Sequence, residues 1–464
     1  MGSEMCIRDR FQELYDGAYR EFNGFGDDEF FQAENGGFDI NPNFDKANPD
    51  DGNFDSISEI NDILFWLPDG SEAQTAWLYE NVDIPSVINH MALSALTRHD
   101  DQADQNFYMA RDAESGLWSV IEWDLDRLWI ANEDVPTDFT DISVIGADLL
   151  DAVFAVPEFQ EMYWRRMQTI VDTYLSDEGV ADLLARREEQ IAEIGATNSR
   201  LEFERWGRVD IFQSDFFREE WEEVILARQT AFANETRLPG SASGITNIVI
   251  NELHYNPAGD DAEFIELFND SDESVDLSGW QLDGVGHTFE FGTVILPNET
   301  LVFTDNLPQF RQQYPGNIAL GGQYSGGLSG GGETITLLDA SGNVIDVVDY
   351  DDSAPFPTSP DGEGFSLSLI DPSLDNNLAS SWVASTQLNG TPGIADNSTT
   401  FETTEISIFA AGMVGDEVIR LDIAGQDSAV FVLSSFGGEA GDLAARNFAE
   451  LTFSTSQPLS LIHI

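Results

Sequence analysis

A histidine, an aspartate and an asparagine are spaced as they are in loops that catalyse phosphoryl transfer. His99 stands two residues before Asp101, and Asn106 follows Asp101 by five residues. In a loop with this spacing the aspartate accepts the proton of an attacking hydroxyl group, and the asparagine holds a metal ion. The same residues also suit a solvated turn or a helix end, where Asp and Asn are common. The spacing alone leaves both interpretations open.

Three carboxylates recur at every second position shortly afterwards. The run Leu117–Asp126 predicts a strand in which Glu122, Asp124 and Asp126 project from one face. The opposite face carries the residues that suit burial, namely Ile121, Trp123 and Leu125. Three carboxylates on one face repel one another unless solvent or a cation lies between them. A hard cation such as Mg²⁺ bridging phosphates fits this pattern, and a hydrated acidic edge is the alternative.

The elements that must position these groups are mainly helical. Pro85 begins a predicted helix directly before the histidine. Its apolar residues recur with helical spacing: Val87, Ile88, Met91, Ala92, Ala95 and Leu96. Further helices are predicted over Phe159–Leu175, Glu178–Ile194 and Ser214–Asn234. From residue 245 the pattern changes to short alternating runs separated by turn residues, which predicts an all-β sandwich.

The composition excludes several classes of protein. The 464 residues include 85 Asp and Glu and 20 Lys and Arg, which gives a formal net charge of −65. A nucleic-acid-binding surface needs a basic face, so we expect no nucleic-acid partner. We also expect no membrane-spanning segment, because no apolar run approaches the roughly 20 residues that a spanning helix needs. With 32 Phe and 10 Trp the chain is too apolar to be a disordered acidic tail.

Only one of the basic residues, Lys46, is a lysine. Extreme acidity with few lysines is typical of proteins adapted to high salt. At ~1 M salt the Debye length falls to about 3 Å, which screens the repulsion between carboxylates. A GC-rich coding bias that favours arginine is the alternative explanation of the missing lysines. The charge total favours adaptation to salt.

The two ends of the chain are related through one inverted DNA sequence. Leu459–Ile464 can be encoded by CTG TCT CTT ATA CAC ATC. The reverse complement, read from its second base, encodes Met-Cys-Ile-Arg-Asp and then Arg or Ser, which matches Met5–Arg10. We therefore expect residues 1–10 and 459–464 to be non-native ends from library preparation, and the rest to be an internal fragment. Cys6, the only cysteine, falls in the first of these ends, so we expect no disulfide.

Residues 11–238 resemble the CotH family of spore-coat kinases, which are atypical protein kinases. The matching text includes Val82–Ser86, Met91–Leu96, His99–Asp101, Asn106–Met109, Gly116–Val120, Trp123–Asp126, Val156–Phe159 and Tyr163–Arg166. The resemblance implies Asp101 as the catalytic aspartate and Asn106 as a metal ligand. It also implies that the Trp123–Asp126 motif supplies a metal-binding aspartate, either Asp126 or Asp124.

The resemblance further implies ATP and Mg²⁺ as cofactors and a protein as the phospho-acceptor. One departure from the family concerns the lysine that pairs with phosphate. Where the family often has Leu-Tyr-Lys, this chain has Leu14, Tyr15 and Asp16, which leaves Lys46 as the candidate. The family's nucleotide-binding N-terminal part lies upstream of these residues. We therefore expect this kinase-like domain to be truncated at its N-terminal end and the fragment itself to be inactive.

Residues 245–397 resemble the lamin tail domain, an immunoglobulin-like sandwich found in bacterial extracellular proteins. The matching text is Ile250–Pro257, Glu263–Asn269, Asp276–Leu282, Gly331–Leu337 and Gly390–Gly393. Glu266 shares a strand face with two phenylalanines, so we expect a half-buried, hydrogen-bonded carboxylate. A cation held by Glu252 and Glu266 is the weaker alternative. The glycine-rich run 321–332 predicts a flexible loop, and the domain as a whole predicts a binding or spacer module.

A third segment, residues 404–458, resembles half of a calcium-dependent, xylan-binding carbohydrate module. The text that carries the likeness is Glu405–Gly412 and Gly415–Leu421. Asp416 and Glu417 would be the calcium ligands of such a module. An ordinary hairpin with an acidic turn is the alternative, and the sequence leaves the two open.

These observations predict a multidomain protein with an α+β kinase-like domain followed by a β-sandwich and a partial β-sandwich. We expect a secreted or surface-attached bacterial protein that transfers phosphate from Mg-ATP to Ser or Thr of a protein, with a polysaccharide as a further partner. The alternative is a non-catalytic extracellular adhesin or polysaccharide-binding scaffold. A glycoside hydrolase is weaker, because only paired carboxylates support it.

Overall fold

The computed structural model describes the chain in separate ranges. These are residues 29–33, 44–48, 69–97, 107–122, 148–186, 188–189, 215–241, 247–259, 261–394, 418–421 and 429–432, with single positions at 56, 60, 64 and 67. The chain forms two compact units, residues 1–395 and 396–464. No helix within these ranges is long and apolar enough to cross a membrane.

The first unit begins with a four-stranded antiparallel sheet. Its strands are β1 (Glu29–Ala33), β2 (Phe44–Asn48), β3 (Phe107–Arg111) and β4 (Trp118–Glu122), and they lie in the order β2-β1-β3-β4. The strands β3 and β4 form a hairpin whose turn is held by Asp112, which accepts hydrogen bonds from the backbone and hydroxyl of Ser115. Gly116 ends this turn at φ +73°, a conformation that favours glycine.

The helices named among the described residues of this region are α1 (Glu72–Asn81), α2 (Ile84–Thr97), α3 (Asp148–Ala155), α4 (Pro157–Tyr174) and α5 (Asp215–Ala233). Residues 177–186 are also helical. The prediction of a helix at Pro85 is confirmed, and all six of its predicted apolar residues are buried. The helices predicted over 159–175 and 214–234 are confirmed to within two residues at each end. The helix α2 packs against α4 and β4 and so lies at the centre of this part of the molecule.

A β-sandwich follows. One sheet has six strands, in the order β12-β11-β6-β5-β15-β16, and the other has four, in the order β14-β13-β8-β9. The strands of the first are β5 (Ile248–His254), β6 (Phe264–Asn269), β11 (Thr300–Thr304), β12 (Leu320–Gln323), β15 (Leu367–Leu369) and β16 (Trp382–Ala384). Those of the second are β8 (Gln281–Asp283), β9 (His287–Thr288), β13 (Glu333–Leu338) and β14 (Val344–Tyr350). A small pair, β7 (Val275–Asp276) and β10 (Val294–Ile295), completes the sandwich.

Residues 321–323 of the glycine-rich run belong to β12, whereas residues 324–332 lie in bends and turns, so the loop prediction is wrong only for the start of the run. Helix α6 (Leu307–Gln313) links β11 to β12, and the two strands pair in parallel, as such a crossover permits. A Cβ on Gly321 would lie 2.3 Å from the ring of Phe303. Glycine is therefore needed here because an aromatic ring packs directly onto the backbone.

The second unit is described by two antiparallel strands, β17 (Val418–Leu421) and β18 (Ala429–Val432). Val418 is the register partner of Val432. Asp416 and Glu417, the predicted calcium ligands, lie outside the described residues. A strand pair suits both interpretations of this segment, so the carbohydrate module stays a prediction.

Candidate functional site

The predicted catalytic and metal-binding residues lie in two segments that flank described elements. Asp101, Asn106, Asp124 and Asp126 are themselves outside the described residues. Lys46 lies in β2, where the backbone is described and the side chain is not. What the structure does establish is the frame of helix and strands to which these segments are attached.

The strand ends that flank the two predicted segments meet at one end of the β3–β4 hairpin. Helix α2 ends at Thr97, and β3 begins at Phe107, directly after Asn106. Strand β4 ends at Glu122, two residues before Asp124. Phe107 and Glu122 are register partners, so the chain enters β3 and leaves β4 at the same place. The spacing of the motifs along the sequence thus corresponds to proximity of their attachment points.

The buried face of β4 differs from the predicted one. Trp118 and Val120 are buried, whereas Ile121 is only half-buried. The predicted strand is confirmed over Trp118–Glu122, but the assignment of Ile121 to the core face was wrong. Helix α2 covers the face of Trp118 and Val120, and this contact decides which residues of the strand are buried.

Lys46 falls in a continuous row of register partners. It pairs with Phe31 of β1, Phe31 pairs with Met109 of β3, and Met109 pairs with Val120 of β4. Phe31, Met109 and Val120 are at most 5% exposed. The backbone therefore places Lys46 on an edge strand, at the end of a row whose other members belong to the core.

The N-terminal end of α2 is hydrogen-bonded to β4. The Ser86 hydroxyl accepts from the backbone N–H of Val120 and donates to its carbonyl, both at 3.1 Å. Asp83 accepts from the backbone N–H of Ser86 at 3.3 Å and its own N–H donates to the Trp118 carbonyl at 2.8 Å. These bonds fix the start of the helix relative to the hairpin.

The C-terminal end of α2 is capped by a buried arginine from α5. Arg228 has no solvent exposure, and its guanidinium donates to the carbonyls of Ala95 and Leu96, the latter at 3.1 Å. The last carbonyls of a helix have no partner within it, so a cation placed there also suits the helix dipole. The sequence analysis missed this residue. The available signal was that Arg228 shares a helical face with Ile225 and Phe232, both of which are buried.

A cleft of about 500 Å³ lies at the other end of the hairpin, between these elements and the sandwich. Asp83, Glu290 and Arg311 all line it, and the Asp83 and Glu290 carboxyl groups are hydrogen-bonded to each other. Burial, together with the neighbouring Glu290 carboxylate, raises the pKa of Asp83 well above its usual range. Arg311 donates to the Tyr79 carbonyl at 3.2 Å, and burial lowers its pKa. None of these residues was singled out as a functional residue from the sequence.

The two glutamates predicted to be structural in the sandwich are structural. Glu252 accepts from the Thr391 backbone N–H at 2.9 Å and hydroxyl at 3.1 Å, and from the Ser366 hydroxyl. Glu266 accepts from the Asn251 amide at 2.9 Å and from the Gly393 backbone N–H at 2.6 Å. Both carboxylates are fully buried, whereas Glu266 was predicted to be half-buried. They fasten the segment Gly390–Gly393 to the first sheet.

The histidines of the sandwich do not form a metal site. His254 is fully buried, and burial lowers its pKa to about 4. Burial also lowers the pKa of His287. Across the residues that the structure describes, no three His, Cys, Asp or Glu side chains are grouped so that they could hold a metal ion.

The fold is thus a helical region built on a small antiparallel sheet, followed by a β-sandwich. Comparison with protein-family models gives two matches. Residues 10–226 match the family described as CotH kinase protein, and residues 241–352 match the Lamin Tail Domain. The chain therefore contains a CotH kinase domain followed by a lamin tail domain, and the first family implies the use of ATP. No curated protein matches the chain.

Proposed function

We propose that the first domain transfers the γ-phosphoryl group of ATP to a Ser or Thr hydroxyl of a protein. The observation that carries the proposal is the pairing of Phe107 with Glu122, because it joins the segment of Asp101 and Asn106 to that of Asp124 and Asp126. Phosphoryl transfer depends mainly on placing groups correctly around the phosphates, and a frame that joins the flanking strand ends supports such a role.

In this proposal Asp101 accepts the proton of the acceptor hydroxyl. Asn106 and Asp126, or Asp124 in its place, provide the oxygen ligands that Mg²⁺ prefers. Mg²⁺, when bound, neutralises the charge that develops on the phosphates. Lys46 is the candidate cation for pairing with phosphate, and its row of register partners ends at β4 beside the same hairpin.

The experiment is calorimetric titration of ATP with Mg²⁺ into the full-length native protein. Asp126→Ala should abolish metal-dependent binding, and Asp124→Ala decides between the two aspartates. Glu114→Ala is the matched control, because Glu114 is an exposed carboxylate at the opposite end of the hairpin. No binding by the native protein, or binding that survives the loss of Asp101, Asp124 and Asp126 in turn, would exclude the proposed site.

The location and the remaining partners form a second part of the proposal. We place the protein outside the cell or on its surface, with residues 404–458 binding a polysaccharide through calcium at Asp416 and Glu417. The resemblance of this segment supports that assignment, and its antiparallel strand pair suits it without deciding between the module and an ordinary hairpin. Should the first domain bind no nucleotide, the non-catalytic scaffold becomes the better account of the whole chain. Calcium-dependent retention on xylan, lost in Asp416→Ala, tests the module independently of the kinase domain.

A further inference from the structure

One arginine of the kinase domain contacts both α2 and the lamin tail domain. Arg166 lies on α4 and is 7% exposed. Its Nε and Nη2 atoms donate to Asn89 Oδ1 of α2 at 3.0 and 2.9 Å. Its Nη1 atom donates to Asp276 Oδ2 of the lamin tail domain at 3.1 Å. A single guanidinium therefore joins the two domains through its fixed fork of donors.

The partner of this arginine is itself held in place. The side chain of Asp276 is 2% exposed, and it accepts from the backbone N–H of Ser278 at 2.9 Å and from the Ser278 hydroxyl. The same hydroxyl accepts from the backbone N–H of Gly292 at 2.9 Å. The carboxylate thus belongs to a connected set of hydrogen bonds within the lamin tail domain.

Gly292 also touches α2 directly. It adopts φ +95°, and a Cβ at this position would lie 2.1 Å from the carbonyl oxygen of Pro85 and 3.1 Å from Cβ of Asn89. The lamin tail domain thus contacts α2 at Pro85 and at Asn89, once by backbone packing and once through Arg166. These contacts therefore lie on the helix that ends at Thr97, directly before residues 98–106 in the sequence, which hold the predicted catalytic residues.

We infer that the lamin tail domain is a positioning part of the phosphoryl-transfer site and not a spacer. It holds α2, the helix that precedes Asp101 and Asn106 in the sequence, through the Asn89–Arg166–Asp276 link. This inference rests on the proposed function for its consequence in catalysis. Its mechanical half concerns coupling between two domains and stands without any nucleotide. Coupling of this kind is reciprocal. The lamin tail domain stabilises α2, and α2 in turn stabilises the loop of the lamin tail domain that contacts it.

The test is hydrogen exchange of the full chain, read at α2 and at the loop around Gly292. Asp276→Asn keeps the shape of the side chain but removes the charge that pairs with Arg166, and we expect exchange in α2 to become about tenfold faster. Asn89→Ala cuts the link on the other side and should speed exchange around Gly292. In the double variant the effect should not exceed that of the larger single one, since both changes break one link.

Glu273→Gln is the matched control. Glu273 pairs with Arg165, the neighbour of Arg166 on α4, at 2.9 Å, so it also joins the two domains, and the side-chain hydrogen bonds described for Arg165 go to Glu273, Ser274 and Gly240 and not to α2. It should leave exchange in α2 within about twofold of the native rate. Exchange in α2 that is unchanged by Asp276→Asn, or effects that simply add in the double variant, would overturn the inference. If Asp276→Asn fails to fold, Asn89→Ala decides alone, because it leaves the Arg166–Asp276 pair intact.

Titration with Mg-ATP separates this inference from the proposed function. Native protein that binds no nucleotide while the link still controls exchange in α2 would remove the kinase proposal and keep the coupling between the lamin tail domain and α2. Native protein that binds Mg-ATP while Asp276→Asn alters neither affinity nor exchange would keep the kinase and remove the positioning role. If both hold, Asp276→Asn should weaken Mg-ATP binding by about as much as it speeds exchange in α2.

Discussion

Glu252 and Glu266 are direct register partners on β5 and β6, and neither side chain is exposed to solvent. Like charges directly opposite each other weaken a sheet, and burial strengthens the effect. The structure offsets it with backbone and hydroxyl donors from Ser366, Thr391 and Gly393. The two carboxylates therefore act as acceptors that close the sandwich over its C-terminal segment.

The first prediction concerns the polar contacts of Glu266. Glu266→Ala leaves the Asn251 amide and the Gly393 N–H without an acceptor, so we expect a loss of about 3 kcal/mol in the free energy of unfolding. Glu266→Gln should cost about 1 kcal/mol or less, because the Asn251 amide can turn round and accept from the new amide. Within the described part of the chain nothing donates to Asn251 Oδ1, so this rotation sacrifices no bond to that oxygen.

Urea unfolding followed by tryptophan fluorescence measures these differences. Glu363→Gln, at an exposed position of the same domain, is the control and should unfold like the native chain. Equal losses for Glu266→Ala and Glu266→Gln would show that the charge, and not the set of hydrogen bonds, is what the sheet requires.

The second prediction concerns pH. Burial raises the pKa of Glu263 to about 7 from 4.5, and the neighbouring Asp305 and Glu333 carboxylates add to the rise. The folded chain therefore holds a proton that the unfolded chain has lost between these pH values, and stability falls as the pH rises through them. Glu263→Gln should remove this fall while its oxygen still accepts from the Leu328 N–H, as the carboxylate does at 2.7 Å.

We expect the two proteins to have similar stability near pH 4. At pH 8 the variant should be more stable by about 1 kcal/mol, a figure reduced for the partial exposure of Glu263, and its melting temperature higher by roughly 2–4 °C. Melting curves at intervals across this range provide the measurement. A variant that loses stability with pH as steeply as the native chain would assign the titration to another group.

The sequence was sufficient where local patterns decide the structure. The apolar spacing after Pro85 predicted α2 and its buried face, because helix periodicity and burial agree along that segment. The roles of Glu252 and Glu266 were also accessible, since a carboxylate among aromatic neighbours on a strand must be hydrogen-bonded.

Contacts between distant parts of the chain were not accessible in this way. Arg228 donates to the end of α2, more than 130 residues earlier in the chain, and Arg166 donates to Asp276, 110 residues later. No local spacing encodes such pairs, because they depend on how helices and domains pack. The prediction of the buried face of β4 was wrong for the same reason. The position of α2, and not the alternation of residues along the strand, determines that Trp118 and Val120 are buried.

The third prediction concerns the cap on α2. Arg228→Ala leaves two helix carbonyls without their donor and opens a cavity, so we expect a loss of about 3–5 kcal/mol. Arg228→Lys keeps the charge but not the planar fork, and should cost about 1–2 kcal/mol. Chemical unfolding gives both values, and hydrogen exchange should localise the change to the last turn of α2.

Arg186→Ala is the control for the third prediction. Arg186 pairs with Asp182 on an exposed surface, where ion pairs contribute little, and its loss should change stability by about 0.5 kcal/mol or less. Similar losses for Arg186→Ala and Arg228→Ala would mean that the cap contributes nothing specific to the end of α2.

The fourth prediction separates a steric contact from backbone strain. Gly292→Ala places a methyl group in steric clash with the carbonyl oxygen of Pro85. It also strains the backbone, because residue 292 adopts φ +95°. Gly259→Ala introduces the same kind of strain at φ +80° with no atom within 4 Å of the new Cβ. We expect about 1 kcal/mol for Gly259→Ala and at least about 3 kcal/mol for Gly292→Ala. Equal costs would show that the loop moves away from α2 without loss, and that the contact between the domains is not specific.

The fifth prediction follows from the charge of the whole chain. With 85 acidic and 20 basic residues, repulsion between carboxylates opposes the compact state. Within the structure such repulsion also acts between the domains, where Glu158 raises the pKa of Glu299 beyond the effect of burial.

Raising sodium chloride from ~0.05 M to ~2 M shortens the Debye length from more than 10 Å to less than 3 Å. We expect the melting temperature to rise by at least about 5 °C, which corresponds to roughly 2 kcal/mol for domains of this size. Sucrose serves as the control, since it favours compact states without screening charge. A melting temperature that is unchanged by salt would show that repulsion between the surface carboxylates does not destabilise the folded chain. Adaptation to high salt would then fail as the explanation of the composition.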